Sequence, residues 1–391
     1  MNARSLESRD TLREQDEGIH QDPSGDGWML LRHADVSAVL RDHGRFSSEG
    51  LLPQKRTQSD REPQPSGNVI FSDPPTHTYL RGLISRAFTP RATKQLKPRI
   101  EALTAELLDA TDHENVDLVA QLAAPLSVTV IAELLAIPAE DRASFSRWSD
   151  ALAVAVSPVG SEDARAEAAP LVSDFNRYVR GLVAERRRHP GPDMLSSLLE
   201  AEADGRRLSD REAAEMALVL IAAGNETTTA LISNGVDTLL AHPDQLNRLR
   251  NDHRLIGSAL EEVLRFSPPV RMVFRRAVQD VTIGSAIIPR GSYVTLDIEA
   301  ANRDPREFPD PASFDIARDP NRHLTFGAGI HFCVGAPLAR LEAEVALLHL
   351  LETYSQLQPG TMAPTRVPFS HATGFSSYPV QLGRRASEAT V

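Results

Sequence analysis

Cys333 is the only cysteine among 391 residues. It lies in the string Phe326-Gly327-Ala328-Gly329-Ile330-His331-Phe332-Cys333-Val334-Gly335. A lone thiol commonly serves as a small buried hydrophobe. This one is set among glycines, which let the backbone approach a neighbour closely or take unusual dihedrals. From Cys333 onward, apolar residues recur at helical spacing. The sulfur is therefore expected at or near a helix N-terminus, where partial positive charge and free amide hydrogens favour a thiolate over a thiol. Such a thiolate can ligate a metal or attack a substrate. A nucleophile paired with His331 fits poorly, because residues two apart at a helix start do not readily face each other. Structural zinc fits worse, since it draws four ligands, usually several of them cysteines.

Three other groups carry potential chemistry. Ala222-Ala223-Gly224-Asn225-Glu226-Thr227-Thr228-Thr229 places poor helix formers inside a long helical pattern. Threonine hydroxyls can divert backbone carbonyl bonds there. The segment is either a groove beside a distorted helix or a close helix–helix contact. Glu262 and Arg265 are three apart and face each other on one helix side. His77 and Arg81, four apart, likewise share a helix face.

The spacing F-G-x-G-x-H-x-C-x-G resembles the cytochrome P-450 superfamily, the haem-thiolate monooxygenases, and Ala223-Gly224-Asn225-Glu226-Thr227-Thr228 meets that family's A-G-x-(Asp/Glu)-Thr-Thr pattern. The resemblance covers nearly the whole chain and is strongest from Asp210 to Arg340. It implies a mainly α fold with small β-sheets: a triangular, prism-like helical domain with a long central helix, and haem b (iron protoporphyrin IX) between that helix and the cysteine-loop helix. It makes Cys333 the iron ligand and Glu226 and Thr227 the carboxylate and hydroxyl that deliver protons to dioxygen. His77, Arg81, Arg275 and His331 would meet the haem propionates; arginine suits this because its fork meets a carboxylate through two hydrogen bonds. Phe326 would shield the sulfur, and amides after Cys333, with Gly335 among them, would tune it. Glu262 and Arg265 would form a buried pair tying their helix to an irregular meander. Val69, Ile70, Ala222, Ala223, Val270, Arg271, Val273 and Phe375 would surround a small hydrophobic substrate. Arg271 departs from the mainly uncharged residues usual there; it either anchors a substrate carboxylate or faces solvent at a strand start. Electrons would come from NAD(P)H through a reductase and a ferredoxin-type donor. The alternatives are a peroxide-driven peroxygenase, against which the intact Glu226-Thr227 pair argues, and a non-catalytic haem-thiolate sensor or carrier.

Elements must place these groups. A short strand is expected over 28–32 and a helix over 35–40, then a polar loop over 47–68 that the resemblance lays above the substrate. A helix should open with Asp73 as N-cap and Pro74 in its first turn. Helical patterns follow over 93–111, 117–136, 141–156, 163–189 and 193–203, closed by an Asp204-Gly205 turn. Ser209-Asp210-Arg211-Glu212 is a capping-box signature opening the longest helix, to Leu240. Shorter helices are expected over 243–251 and 254–266, then β structure over 275–283 and 286–296. Residues 303–325, with four prolines, read as an irregular meander, and Thr373-Gly374 as a turn.

Composition narrows the class. The formal net charge of −11 argues against a nucleic-acid binder. One exception is Pro74 to Ile100, which holds Arg81, Arg86, Arg91, Lys94, Lys97 and Arg99 and no acid. That stretch is either a solvated face or a dock for an acidic electron carrier. One cysteine excludes an internal disulfide. Residues 1–27 are polar, expected partly disordered, and lack the apolar core of a signal peptide; 28–391 are expected to form one domain. No apolar run approaches a membrane span, the longest lying around Met216 to Gly224. The expectation is a cytoplasmic protein with no membrane anchor.

Overall fold

Ser209 opens the element around which the chain is built. Its hydroxyl accepts from the Glu212 N–H while the Glu212 carboxylate accepts from the Ser209 N–H. This reciprocal cap starts a helix that runs unbroken over Asp210–Ala241. In this computed structural model, residues 18–21, 27–51, 67–156, 162–203, 205–367 and 372–383 are described. Most of the expected N-terminal segment 1–27, most of the 47–68 loop and Asp204 lie outside them; of that segment, Ile19–Gln21 is a strand.

The central helix is apolar enough, by length and composition, to cross a bilayer. This amends the expectation that no segment approaches that limit. Most of it is buried inside the protein: Leu231, Ile232, Val236 and Leu239 pack with Leu260, Val263, Leu264, Leu347 and Leu350, so helices 210–241, Ile256–Phe266 and Ala336–Thr353 share one core. Fully burying each such side chain is worth about 1.5–3 kcal/mol. Toward its N-terminal end, Met216, Ala217 and Ile221 join a second core with Leu80, Leu83, Ile84, Ile131 and Phe175. Trp148 stacks on Phe175 at 5.3 Å, docking helix Arg142–Val156 onto Glu162–Arg188.

The mainly helical fold with small sheets is as expected. The largest sheet has five strands in the order Ile19–Gln21, Gly27–Leu30, Tyr293–Asp297, Met272–Ala277 and Phe46–Ser47. Tyr293–Asp297 runs parallel to Gly27–Leu30 and antiparallel to Met272–Ala277, with Val294 opposite Arg275. Most expected elements are present with shifted ends. Two shifts matter for chemistry. The helix expected from Asp73 begins at Thr76, and the Asp73 carboxylate instead accepts from the Ser47 hydroxyl and the Ser48 N–H. The helix expected from Cys333 begins at Ala336, which leaves the sulfur in the preceding loop.

Glu342 sits in the core within that last helix, beside Ser127, with Oε2 unpartnered. Burial raises its carboxyl well above the ordinary 4.5. The native state therefore keeps a proton that the unfolded chain releases, and stability falls as pH rises from 4.5 toward the raised value. Glu342→Gln should match the parent at pH 4 and exceed it in denaturation midpoint at pH 8. Parallel pH profiles for the two proteins would remove this assignment.

Candidate active site

The cysteine loop is shaped by close backbone approach. Gly327 and Gly329 have φ of +72° and +69°, and a Cβ on Gly329 would lie 2.7 Å from the Leu40 carbonyl oxygen. Only glycine can therefore seat the loop on helix His33–Arg41. Gly335, by contrast, has an ordinary φ of −81°; its contribution is its N–H. The Cys333 N–H donates to the Phe326 carbonyl at 2.9 Å, and the N–H groups of Gly335 and Ala336 donate to the sulfur. Burial nevertheless outweighs those amides and the nearby Arg81 and Arg340 charges, and pushes the thiol up. The expected preference for thiolate is corrected: the protein packed around this partly exposed cysteine, by itself, favours the thiol. A bound metal reverses that, because coordination deprotonates the ligand.

Phe326 covers one side of the loop, with the Arg340 guanidinium 4.4 Å above its ring. Arg340 is held by Glu261 at 2.6 and 2.8 Å, and His323 reaches the same carboxylate at 3.1 Å. Burial pushes Glu261 up, but these hydrogen bonds prevail and hold it at about 2. Glu261 is adjacent to Glu262 in the sequence, but its partners are not those of the Glu262–Arg265 pair. It is a separate clamp between helix 256–266 and the cysteine loop.

Glu262 and Arg265 are both 0% exposed and meet at 2.7 and 2.8 Å. Arg265 also donates to the carbonyls of Asn302, Pro311 and Ser313. Glu262 further accepts from Arg318, Asn321 and the Asp315 N–H. The pair is buried in the meander, as the resemblance implied.

Four cationic or titratable groups converge near the loop. The rings of His77 and His331 lie 4.3 Å apart. Burial, then Arg275, His77 and Arg81, push His331 down to about 3. Burial, then Arg81, lowers His77, whose Nε2 is buried without a partner. Burial pushes Arg275 down to about 10. His43 adds to the same field. The acid near them, Asp73, is already engaged by Ser47 and Ser48. Two guanidinium charges, Arg81 and Arg275, beside two imidazoles that resist protonation, one with an orphaned nitrogen, suit an anionic partner. The two carboxylates of a haem beside a cysteine sulfur fit that demand. Among the described residues no cluster of histidine, cysteine and acid residues could hold a bare metal ion.

On the central helix, Ala223 is exposed, and Ala222, Glu226 and Thr227 are partly exposed, whereas Asn225, Thr228 and Thr229 are buried. The first set faces open space. The expected distortion is absent: the helix continues through this segment, and the Thr227 hydroxyl donates to the Ala223 carbonyl at 2.6 Å within it. The close-contact reading also holds locally, since Asn225 Nδ2 donates to Ser149 Oγ at 2.9 Å. Burial, then Asp150 on the Ser149 helix, raises the Glu226 carboxyl.

A sequence profile of the cytochrome P-450 family matches residues 162–383. The chain is 40% identical over 377 residues to the cytochrome P-450 monooxygenase PikC of Streptomyces venezuelae, covering 94% of this chain and 88% of that one. This chain belongs to the cytochrome P-450 family. The P-450 is also 41% identical over 350 residues to the 6-deoxyerythronolide B hydroxylase of Saccharopolyspora erythraea, spanning 86% and 84% of the two chains. Its fold matches the crystal structure of HmtN, a post-tailoring hydroxylase of himastatin biosynthesis, at a TM-score of 0.84, with 40% identity and 95% of each chain covered. It is a cytochrome P-450 monooxygenase, from a family built on haem-thiolate chemistry.

The other expected substrate residues divide. Ile70 is 43% exposed, whereas Val69 is in the core. The segment just before them is tied to the central helix through the Gly67 N–H and Glu215 at 2.8 Å. Val270 bridges to Ala372, and Thr373 hydrogen-bonds to Asn234 and to the Pro268 and Pro269 carbonyls. This brings the 373–375 turn against the central helix. Phe375, however, is 3% exposed and packs on Tyr378, so its ring belongs to the core. Val273 packs partly buried against the sheet core. Arg271 is neither unpaired nor facing solvent: Glu299 holds it at 2.6 Å. The basic stretch is similarly divided. Arg81 lies close enough to Cys333 for their charges to interact, Arg86 bonds the Glu202 carbonyl, Lys97 pairs with Glu344 and Arg99 with Glu133, while Arg91 and Lys94 remain exposed.

Proposed function

We propose that Cys333 ligates the iron of haem b and that the enzyme inserts one atom of dioxygen into a small hydrophobic molecule. The sulfur-bound haem would activate dioxygen, a donating thiolate favouring O–O cleavage. The single observation that carries the reading is the sulfur of the partly exposed Cys333, flanked by two amide donors and near the Arg81 and Arg275 guanidinium charges. His77, Arg81, Arg275 and His331 would hold the propionates. Phe326 and the Arg340–Glu261 clamp keep water from the sulfur side. Ala222, Ala223, Ile70 and Val270 offer an apolar wall to substrate.

Glu226 and Thr227 would manage protons. A carboxyl raised by burial holds its proton more tightly than an exposed one. While the Thr227 hydroxyl donates to Ala223, its oxygen retains lone pairs that accept from a bridging water. Thr227 would thus position that water, and Glu226 would pass its proton through it, a general-acid arrangement.

The electron donor is a ferredoxin-type protein, drawn to the exposed Arg91 and Lys94 and to Phe332, which is 42% exposed beside the cysteine. The location is cytoplasmic. Purified holoprotein should be titrated with a library of hydrophobic compounds while the iron's spin state is followed. Compounds that shift it should be oxidised with NADPH, a reductase and a surrogate ferredoxin. Turnover with peroxide alone would give the peroxygenase reading, and binding without product under any donor would give the sensor reading.

A further inference from the structure

Ser48 lies immediately after the strand Phe46–Ser47, 283 residues from His331, and is 1% exposed. Its Oγ is 3.1 Å from His331 Nε2. Its backbone N–H donates to Asp73 Oδ1 at 2.9 Å, and the Asp73 carbonyl accepts the His77 N–H at 2.9 Å. Ser48 thus stands where the sheet edge, the cysteine loop and the His77 helix meet. We propose that Ser48 is a positioning residue for His331, holding its ring so that Nδ1–H is presented to a haem propionate. The proposal rests on the haem-thiolate reading above.

A neutral imidazole carries one N–H and one lone pair. If a propionate oxygen takes Nδ1–H, Nε2 becomes an acceptor buried next to Ser48. The serine hydroxyl can turn and donate to it, so both nitrogens are satisfied only with the hydroxyl present. Removing it leaves a buried lone pair unmatched and lets the ring turn or adopt the tautomer whose lone pair would face the carboxylate. The other function of the residue, its N–H to Asp73, belongs to the backbone and survives in alanine. Ser48→Ala therefore separates an effect on His331 from general damage to the turn.

The measurement is the rate of haem transfer from holoprotein to excess apomyoglobin, for the parent, Ser48→Ala, His331→Gln and the double variant. Ser48→Ala should accelerate transfer about three- to tenfold, the range expected for one net hydrogen bond. In the His331→Gln background the same change should add less than about twofold, because the partner it acts through is gone. Transfer from Ser48→Ala at the parent rate, or equal acceleration in both backgrounds, would overturn the proposal. The reduced, carbon monoxide-bound spectrum of the parent tests the underlying reading separately. A sulfur-type band with unchanged transfer sinks only Ser48, whereas absence of that band sinks the haem-thiolate reading itself.

Discussion

Glu262→Ala should leave little folded holoprotein, with a loss on the order of 3–5 kcal/mol in unfolding free energy. The size follows from what the substitution strands. The Arg265 guanidinium is 0% exposed and would keep only the carbonyls of Asn302, Pro311 and Ser313. Arg318 and Asn321 would lose the same acceptor, so the meander would lose its attachment to helix 256–266. That meander leads directly into the cysteine loop, so haem retention should fall together with stability. The control is Asp174→Ala, which removes an exposed ion pair with Arg177 and should change little. Urea denaturation followed by both circular dichroism and haem absorbance checks it. Similar midpoints for the two variants would contradict the structural role given to Glu262.

Thr227→Ala should preserve haem binding and fold while uncoupling electron use from product. Alanine is the better helix former, and the lost bond runs within the helix to Ala223, so no destabilisation is expected. The proton path loses its hydroxyl. Reducing equivalents should then appear as hydrogen peroxide, with product per cofactor oxidised falling on the order of 10-fold or more, toward the 10²–10⁴-fold worth of a positioned acid. The check is parallel measurement of cofactor oxidation, peroxide and product with one spin-shifting compound. Unchanged coupling would remove Thr227 from the relay.

The groups legible in the sequence are those whose partners lie within a turn or two. The Ser209–Glu212 cap, the Glu262–Arg265 pair and the shared face of His77 and Arg81 all depend on helical spacing. The glycine string around Cys333 is legible for a different local reason, since positive φ and close backbone approach demand glycine there. What sequence reading misses is set by distant segments. Ser48 reaches His331 across 283 residues, Arg271 finds Glu299 through a strand pairing, and Asp73 leaves its expected cap for Ser47 and Ser48. The direction of the Cys333 shift was misread for a related reason. Proximity to a helix N-terminus is visible in the sequence, but the burial that overrides it is a property of the packed protein. The Glu226–Asp150 interaction is likewise invisible until helix 142–156 is laid on the central helix by Trp148, Phe175 and the Ser149–Asn225 contact.

The central claim is the sulfur–iron bond, and its most direct test is an absorption spectrum. Purified holoprotein is reduced under carbon monoxide beside Cys333→His, which offers nitrogen in place of sulfur. The parent should show the strongly red-shifted Soret band of a thiolate complex, and the variant a band at shorter wavelength. Correctly folded, haem-loaded parent protein that gives the same short-wavelength band as the variant would contradict the account.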